Sequence, residues 1–262
     1  MSNHDNLLQV VTKLLTDNVV NTRRYASATI LNLVSIPASI NRITTFGKGH
    51  LLHAMTRVLA IDDVEEIRIN IAETFFNIVR NSTDLVSIEM LGRHRDVLPA
   101  LATTVLSDYS ADVRAYAART LEWLAADIHH GSKSHPALLE ALIQACMWTK
   151  TNCIVEALKS QASIEENRVA MVQQKGMLDA LASLASLHGV NDEEVRECAL
   201  ETINLLTLEP KVRKQMAQHE PIMLELTRAT FSASGILDHY EENDGGTRAL
   251  MKSALKNLAK EI

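Results

Sequence analysis

A twelve-residue pattern occurs six times along the chain, and no other feature constrains the fold as tightly. The clearest copies are Thr22-Arg-Arg-Tyr-Ala-Ser-Ala-Thr-Ile-Leu-Asn-Leu33, Ile67-Arg-Ile-Asn-Ile-Ala-Glu-Thr-Phe-Phe-Asn-Ile78, Val113-Arg-Ala-Tyr-Ala-Ala-Arg-Thr-Leu-Glu-Trp-Leu124 and Val195-Arg-Glu-Cys-Ala-Leu-Glu-Thr-Ile-Asn-Leu-Leu206. Weaker copies start at Cys153 and Thr247. One column holds Arg23, Arg68, Arg114, Ile154, Arg196 and Arg248. A small or apolar column holds Ala26, Ile71, Ala117, Ala157, Ala199 and Met251, and a hydroxyl column holds Thr29, Thr74, Thr120, Ser160 and Thr202. Apolar columns fall three, seven and ten places after the arginine, the spacing of one helical face.

A second amphipathic helix precedes each copy, over Leu7–Leu15, Leu51–Leu59, Val97–Leu106, Leu138–Trp148, Met177–Leu187 and Ile222–Phe231. Acidic turns such as Asp62-Asp-Val-Glu-Glu lead into the next helix, where a helix N-terminus favours negative charge. A shorter third helix is predicted in four connections: Ser39–Phe46, Thr83–Leu91, Glu165–Lys175 and Lys211–His219. In three of them glycines (Gly47 and Gly49, Gly92, Gly176) lie at or near the end and would permit a sharp turn. The five prolines all sit at predicted helix boundaries.

Successive arginine-column positions are offset by 45, 46, 40, 42 and 52 residues, close to the roughly 40–47 of helical solenoid repeats. Three helices and a glycine corner in each unit resemble the armadillo repeat, over essentially the whole chain. The resemblance implies an all-α, right-handed superhelical solenoid of about six three-helix repeats. They would form a single domain, 1–262, with repeats at about 1–50, 51–95, 96–135, 136–176, 177–220 and 221–262. The first repeat begins with its second helix, the connection 127–135 lacks a proper first helix, and the fourth repeat is degenerate. Lys252, Lys256 and Lys260 give the last helix a solvated face suited to a terminal cap, so the domain is expected to be complete at Ile262.

Composition narrows the function classes. The chain has 47% hydrophobic and 22% charged residues, ordinary for a folded soluble protein, and only 4% aromatics and 9 glycines among 262 residues. No apolar run is long enough for a membrane span, and the first residues lack the pattern of a signal peptide. Cys146, Cys153 and Cys198 are odd in number and lie on helical patterns, which fits a reducing compartment. A cytoplasmic location is expected, with a nuclear one as the alternative. The net charge of −6 argues against non-specific nucleic-acid binding.

In armadillo folds the last helix of each repeat lines a concave groove. Positions two, five and nine after the arginine column project onto one stripe of that helix. They include Tyr25, Ala28 and Asn32; Asn70, Glu73 and Asn77; Tyr116, Arg119 and Trp123; Glu156, Lys159 and Ser163; and Cys198, Glu201 and Leu205. The importin alpha branch pairs groove tryptophans with asparagines that hold an extended peptide. Asn32, Asn77 and Asn257 keep part of the asparagine column, but Ala28, Glu73, Arg119, Lys159, Glu201 and Ser253 occupy the tryptophan positions. Recognition of basic import signals is therefore not expected, and the stripe lacks the uniform basicity of the catenin branch. Tyr116, Arg119 and Trp123 form its most distinctive patch, of the residue types enriched in binding hot spots. The competing reading buries Trp123 between repeats.

The arginine column invites a phosphate-binding reading, but a structural role beside Glu65, Glu66, Asp112, Glu193 and Glu194 fits better. Phosphate loops, paired-cysteine zinc spacing and nucleophile elbows are absent from the sequence. His129, His130 and His135 read as solvated loop residues, and the acidic run in 232–246 lacks calcium-loop spacing. No cofactor and no metal are expected. The leading expectation is a non-enzymatic scaffold or adaptor, monomeric or oligomeric, holding a protein or peptide partner. Its candidate contacts are Asn32, Asn70, Glu73, Asn77, Tyr116, Arg119, Trp123, Glu156 and Lys159. The alternative is a small-molecule or lipid-headgroup sensor with a pocket near the fourth repeat. An enzyme would need a convergent acid–base set that this sequence does not supply.

Overall fold

The computed structural model describes residues 3–83, 85–127, 136–148, 152–187, 192–231 and 245–260, and among these there are sixteen α-helices and no strand. The helices gather into two compact units. The first holds α1 (Asn3–Leu14), α2 (Val20–Val34), α3 (Pro37–Thr45), a short 3-10 turn (Phe46–Lys48), α4 (His50–Ile61), α5 (Glu65–Asn81), α6 (Leu85–Arg93), α7 (Val97–Ser107) and α8 (Ala111–Asp127). It also takes α9 (Pro136–Trp148) as far as Ala145. The second holds α10 (Asn152–Ser163), α11 (Glu165–Gln173), α12 (Met177–Ala185), α13 (Glu193–Thr207), α14 (Pro210–Ala217), α15 (Glu220–Phe231) and α16 (Gly245–Leu258).

Helices of one kind pack on their own kind. In the first unit α2, α5 and α8 stack in succession, α4 packs on α7, and α3 packs on α6. In the second, α10, α13 and α16 stack, α12 packs on α15, and α11 packs on α14. Within each unit, repeats thus meet their neighbours, which is how a solenoid builds a core from units that cannot bury a face alone. The four short helices appear where they are predicted, as α3, α6, α11 and α14. Each proline sits in the first turn of a helix, where its missing N–H costs no intrahelical bond.

The repeated columns now have physical roles. All six residues of the small or apolar column are buried, and four are alanines, so neighbouring helix backbones come close. The threonine hydroxyls donate to carbonyls one turn back: Thr29 to Tyr25 at 2.7 Å, Thr74 to Asn70 at 2.6 Å, Thr120 to Tyr116 at 2.7 Å and Thr202 to Cys198 at 2.8 Å. At Thr74, Thr120 and Thr202, which are buried, the hydroxyl is thereby satisfied inside its own helix.

The arginine column holds repeats together in the first unit. Arg23 donates to Asp62 at 2.6 Å and Arg68 to Asp108 at 2.7 Å, each through a second nitrogen as well. These two guanidiniums, and that of Arg114, also reach back to carbonyls beyond the preceding helix: Arg23 to Asp17, Arg68 to Asp62 and Arg114 to Asp108. They cap chain ends that carry the negative pole of a helix. Asp62 and Asp108 also accept from the backbone N–H two residues on, at Val64 and Ser110. The structural role holds, but its carboxylates are Asp62 and Asp108 rather than the glutamates that adjoin Arg68 in sequence. Ile154 replaces the arginine in α10 and is fully buried. In the second unit arginines of the short helices make such bonds, Arg168 to the carbonyl of Ala162 and Arg213 to that of Thr207.

Gly47, Gly49 and Gly176 have φ of 56°, 91° and 84°, the left-handed region a corner needs. Gly92 departs from expectation. It lies inside α6, and the corner after it is a turn in which Val97 N–H donates to the carbonyl of His94 at 3.2 Å. The histidine-bearing segment 128–135 and the acidic segment 232–244 lie outside the described residues.

Candidate binding surface

Helix α8 has two faces. Val113, Ala117, Thr120, Leu121 and Leu124 are buried, which turns Tyr116, Arg119 and Trp123 to the other side. Trp123 is 43% exposed, so the reading that places it in the core between repeats fails. Arg119 is exposed and Tyr116 half-buried. The Tyr116 ring lies 5.9 Å from that of Phe76 on α5, tilted by 43°. Phe76 is itself flanked by the guanidiniums of Arg80 at 5.9 Å and Arg119 at 6.0 Å, within cation–π range. Burial pushes the Tyr116 phenol up, and the nearby Glu73 carboxylate, hydrogen-bonded to it, raises it further.

The candidate amides divide. Asn70 donates to Ser27 Oγ at 3.0 Å, so it ties α5 to α2. Asn32 is exposed and Asn77 half-buried. Tyr25, on the same stripe of α2, is 72% exposed. Arg24 beside it pairs with Glu66 of α5 at 2.6 Å. Glu73, Arg80, Tyr116, Arg119 and Trp123 thus form an aromatic and cationic surface on α5 and α8, with the Phe76 ring buried against Tyr116, Arg80 and Arg119.

In the second unit the stripe has a different character. Lys159 of α10 bonds Glu156 at 2.9 Å and Glu201 of α13 at 3.1 Å. Burial works against the Lys159 charge, but the Glu156 hydrogen bond and Glu201 outweigh it and hold the ammonium above its ordinary range. Lys159 is therefore a tie between α10 and α13. Cys198 departs from its projected place on the exposed stripe and is buried. Burial, followed by the charge of Glu156, pushes its thiol up to about 12. A cavity of about 340 Å³ opens here, walled by Glu156, Lys159, Glu194, Glu197 and Glu201.

Phe76 and Arg80 were not among the sequence candidates. The column of Phe76, eight places after the arginine, also holds Leu31, Glu122, Ala162, Asn204 and Lys256, a mixture that carried no clear signal.

Solved structures now bear on the fold. A computationally designed armadillo repeat protein for modular peptide recognition superposes with a TM-score of 0.64 at 17% identity, covering 95% of this chain and 99% of that one. The fold is that of the armadillo repeat. A second designed armadillo repeat protein, solved with the peptide (KR)4, superposes with a TM-score of 0.59 at 17% identity, covering 96% of this chain and 99% of that one. A chain from a study of the phosphorylation switch between cadherin and beta-catenin gives a TM-score of 0.60 at 15% identity, covering 98% of this chain and 45% of that one. The sequence matches no family model and no curated protein. The stripe is carried by α2, α5 and α8 in the first unit and by α10, α13 and α16 in the second. Among the described residues no helix is long and apolar enough to cross a membrane, and no three metal-ligating side chains cluster.

Proposed function

We propose that residues 1–262 act as one non-enzymatic binding scaffold, taking an extended peptide or partner helix on the armadillo stripe of α5 and α8. The observation that carries this reading is Trp123, a large rigid side chain left 43% exposed beside Tyr116 and Arg119. Exposed aromatics next to arginine are where binding energy concentrates in protein interfaces. Asn77 and Asn32 offer amides to a peptide backbone, and Arg119 and Arg80 favour a partner carrying acidic residues. An apolar or aromatic anchor with nearby carboxylates is thus the best match. Selection from a random peptide library on wild type and on Trp123→Ala tests it. Peptides enriched on the wild type should bind the variant about 30-fold more weakly, the hot-spot threshold of about 2 kcal/mol, with the melting temperature nearly unchanged. Equal binding would place the working surface elsewhere.

The second reading, a small-ligand sensor, is supported by the 340 Å³ cavity between α10 and α13. Its four glutamates outnumber its single lysine, which disfavours an anionic headgroup and favours a cationic ligand. Titration with spermidine, on wild type and on Glu201→Gln, would separate this reading from the peptide scaffold.

A further inference from the structure

A larger cavity, of about 730 Å³, lies away from the stripe, where the corner before α4 meets the turn between α6 and α7. No residue of α5 or α8 lines it. Its walls carry three permanent cations, Lys48, Arg93 and Arg95, three imidazoles, His50, His53 and His94, and one carboxylate, Asp96. This concentration of positive charge occurs in a chain whose net charge is −6.

The groups have distinct tasks. His94 is a strut: its Nδ1 accepts from Asp96 N–H at 3.4 Å, and the ring also hydrogen-bonds the Gly49 backbone. Burial lowers its basicity, more than Asp96 restores it, so the ring is neutral near pH 7. Asp96 orients His53 through Nδ1 at 2.9 Å and also pairs with Arg95 at 3.3 Å. Arg93 is partly committed to Glu89 one turn back. Lys48, Arg93 and Arg95 are all exposed, and Lys48 and Arg95, 47 residues apart in sequence, converge on one cavity.

The backbone holds this arrangement at a cost. Lys48 is the one non-glycine residue with positive φ among those described, at 57°. Such a conformation is unfavourable for a residue with a Cβ. Its neighbours must be glycine: a Cβ on Gly49 would stand 3.0 Å from His94 Cδ2, and one on Gly47 3.0 Å from His50 Cβ. The N-terminus of α4, which has no capping side chain and no acid in its first turn, adds its positive pole to the same corner.

We propose that this cavity binds a phosphate monoester, with Lys48 and Arg95 gripping the phosphoryl group and Met90 lining the part that receives the organic stem. The volume exceeds what a bare phosphate fills and lies within the roughly 300–1,000 Å³ of small-ligand pockets. Calorimetric titration of the full chain at low salt with phenyl phosphate, inorganic phosphate and phenol tests it. Phenyl phosphate should bind at one site, inorganic phosphate more weakly, and phenol not measurably. Lys48→Asn, which suits a left-handed backbone, and Arg95→Gln should each weaken phenyl phosphate by roughly tenfold with the melting temperature unchanged. Equal affinity for phenyl phosphate and inorganic phosphate would overturn the monoester assignment. Undiminished binding by both variants, or no binding by the wild type, would overturn the site.

Discussion

The two units share one helical scheme and differ in what they do with it. In the first, guanidiniums cross between repeats to buried carboxylates, Arg23 to Asp62 and Arg68 to Asp108, and the exposed stripe is aromatic and cationic. In the second, Arg168 and Arg213 cap the ends of helices nearby in sequence, and glutamates surround the single Lys159 on the stripe. The buried columns are nearly the same in both. The contrast shows that the solenoid is set by small and apolar positions facing inward, which leaves the outward stripe free to take opposite chemistry on one frame.

The largest expected effect comes from breaking the core of one unit alone. Phe75 is fully buried in α5, and Phe75→Ala should cost about 3–5 kcal/mol. Because repeats touch only neighbours, hydrogen exchange should speed up in α5 and α8 while α13 keeps its protection. Uniform loss of protection would mean that the chain unfolds as one cooperative block.

Next in size is the first unit's ion pair. Arg68→Gln leaves Asp108 buried without its partner and should cost about 2–3 kcal/mol, read by urea denaturation. The pair also has a pH signature. Burial pushes the Asp108 carboxyl up, but the Arg68 guanidinium and the Ser110 N–H outweigh it, so its folded value lies below the ordinary one. Its stabilisation is therefore complete above the usual carboxylate range and is lost as pH falls through that lowered value. Wild type should lose this share of stability on acidification, whereas Asp108→Asn should not. If both variants follow the wild-type profile, the pair contributes nothing to stability.

The smallest effect sharpens the surface contrast. Tyr116→Phe removes the hydrogen bond to Glu73 and leaves the ring on Phe76, so stability should fall by about 1 kcal/mol or less, read as a small shift in the urea midpoint. A larger loss would make Tyr116 a structural residue and weaken its place in the binding surface.

The helices and their order were legible because buried positions repeat with helical spacing, and burial depends on each helix's own face. The exposure of Trp123, Tyr25 and Arg119 followed from the same projection. Cys198 escaped it because a small thiol on α13 sinks under the Glu156 and Lys159 side chains. The Arg68–Asp108 pair was not legible because its carboxylate lies 40 residues on, and only the stacking of repeats brings it near. The Lys48 and Arg95 cavity was hidden for the same reason, as two unremarkable turns form one site only after folding. Gly92 shows the opposite error, in which a glycine near a predicted end proves to be an ordinary helical residue.

The most direct test of the claim that the first unit carries the working surface is a paired titration. One library-selected peptide is titrated into wild type, Trp123→Ala and Glu201→Gln. The account predicts binding about 30-fold weaker for Trp123→Ala and within about twofold of wild type for Glu201→Gln. Loss of binding in Glu201→Gln with Trp123→Ala unaffected would contradict it and move the working surface to α10 and α13.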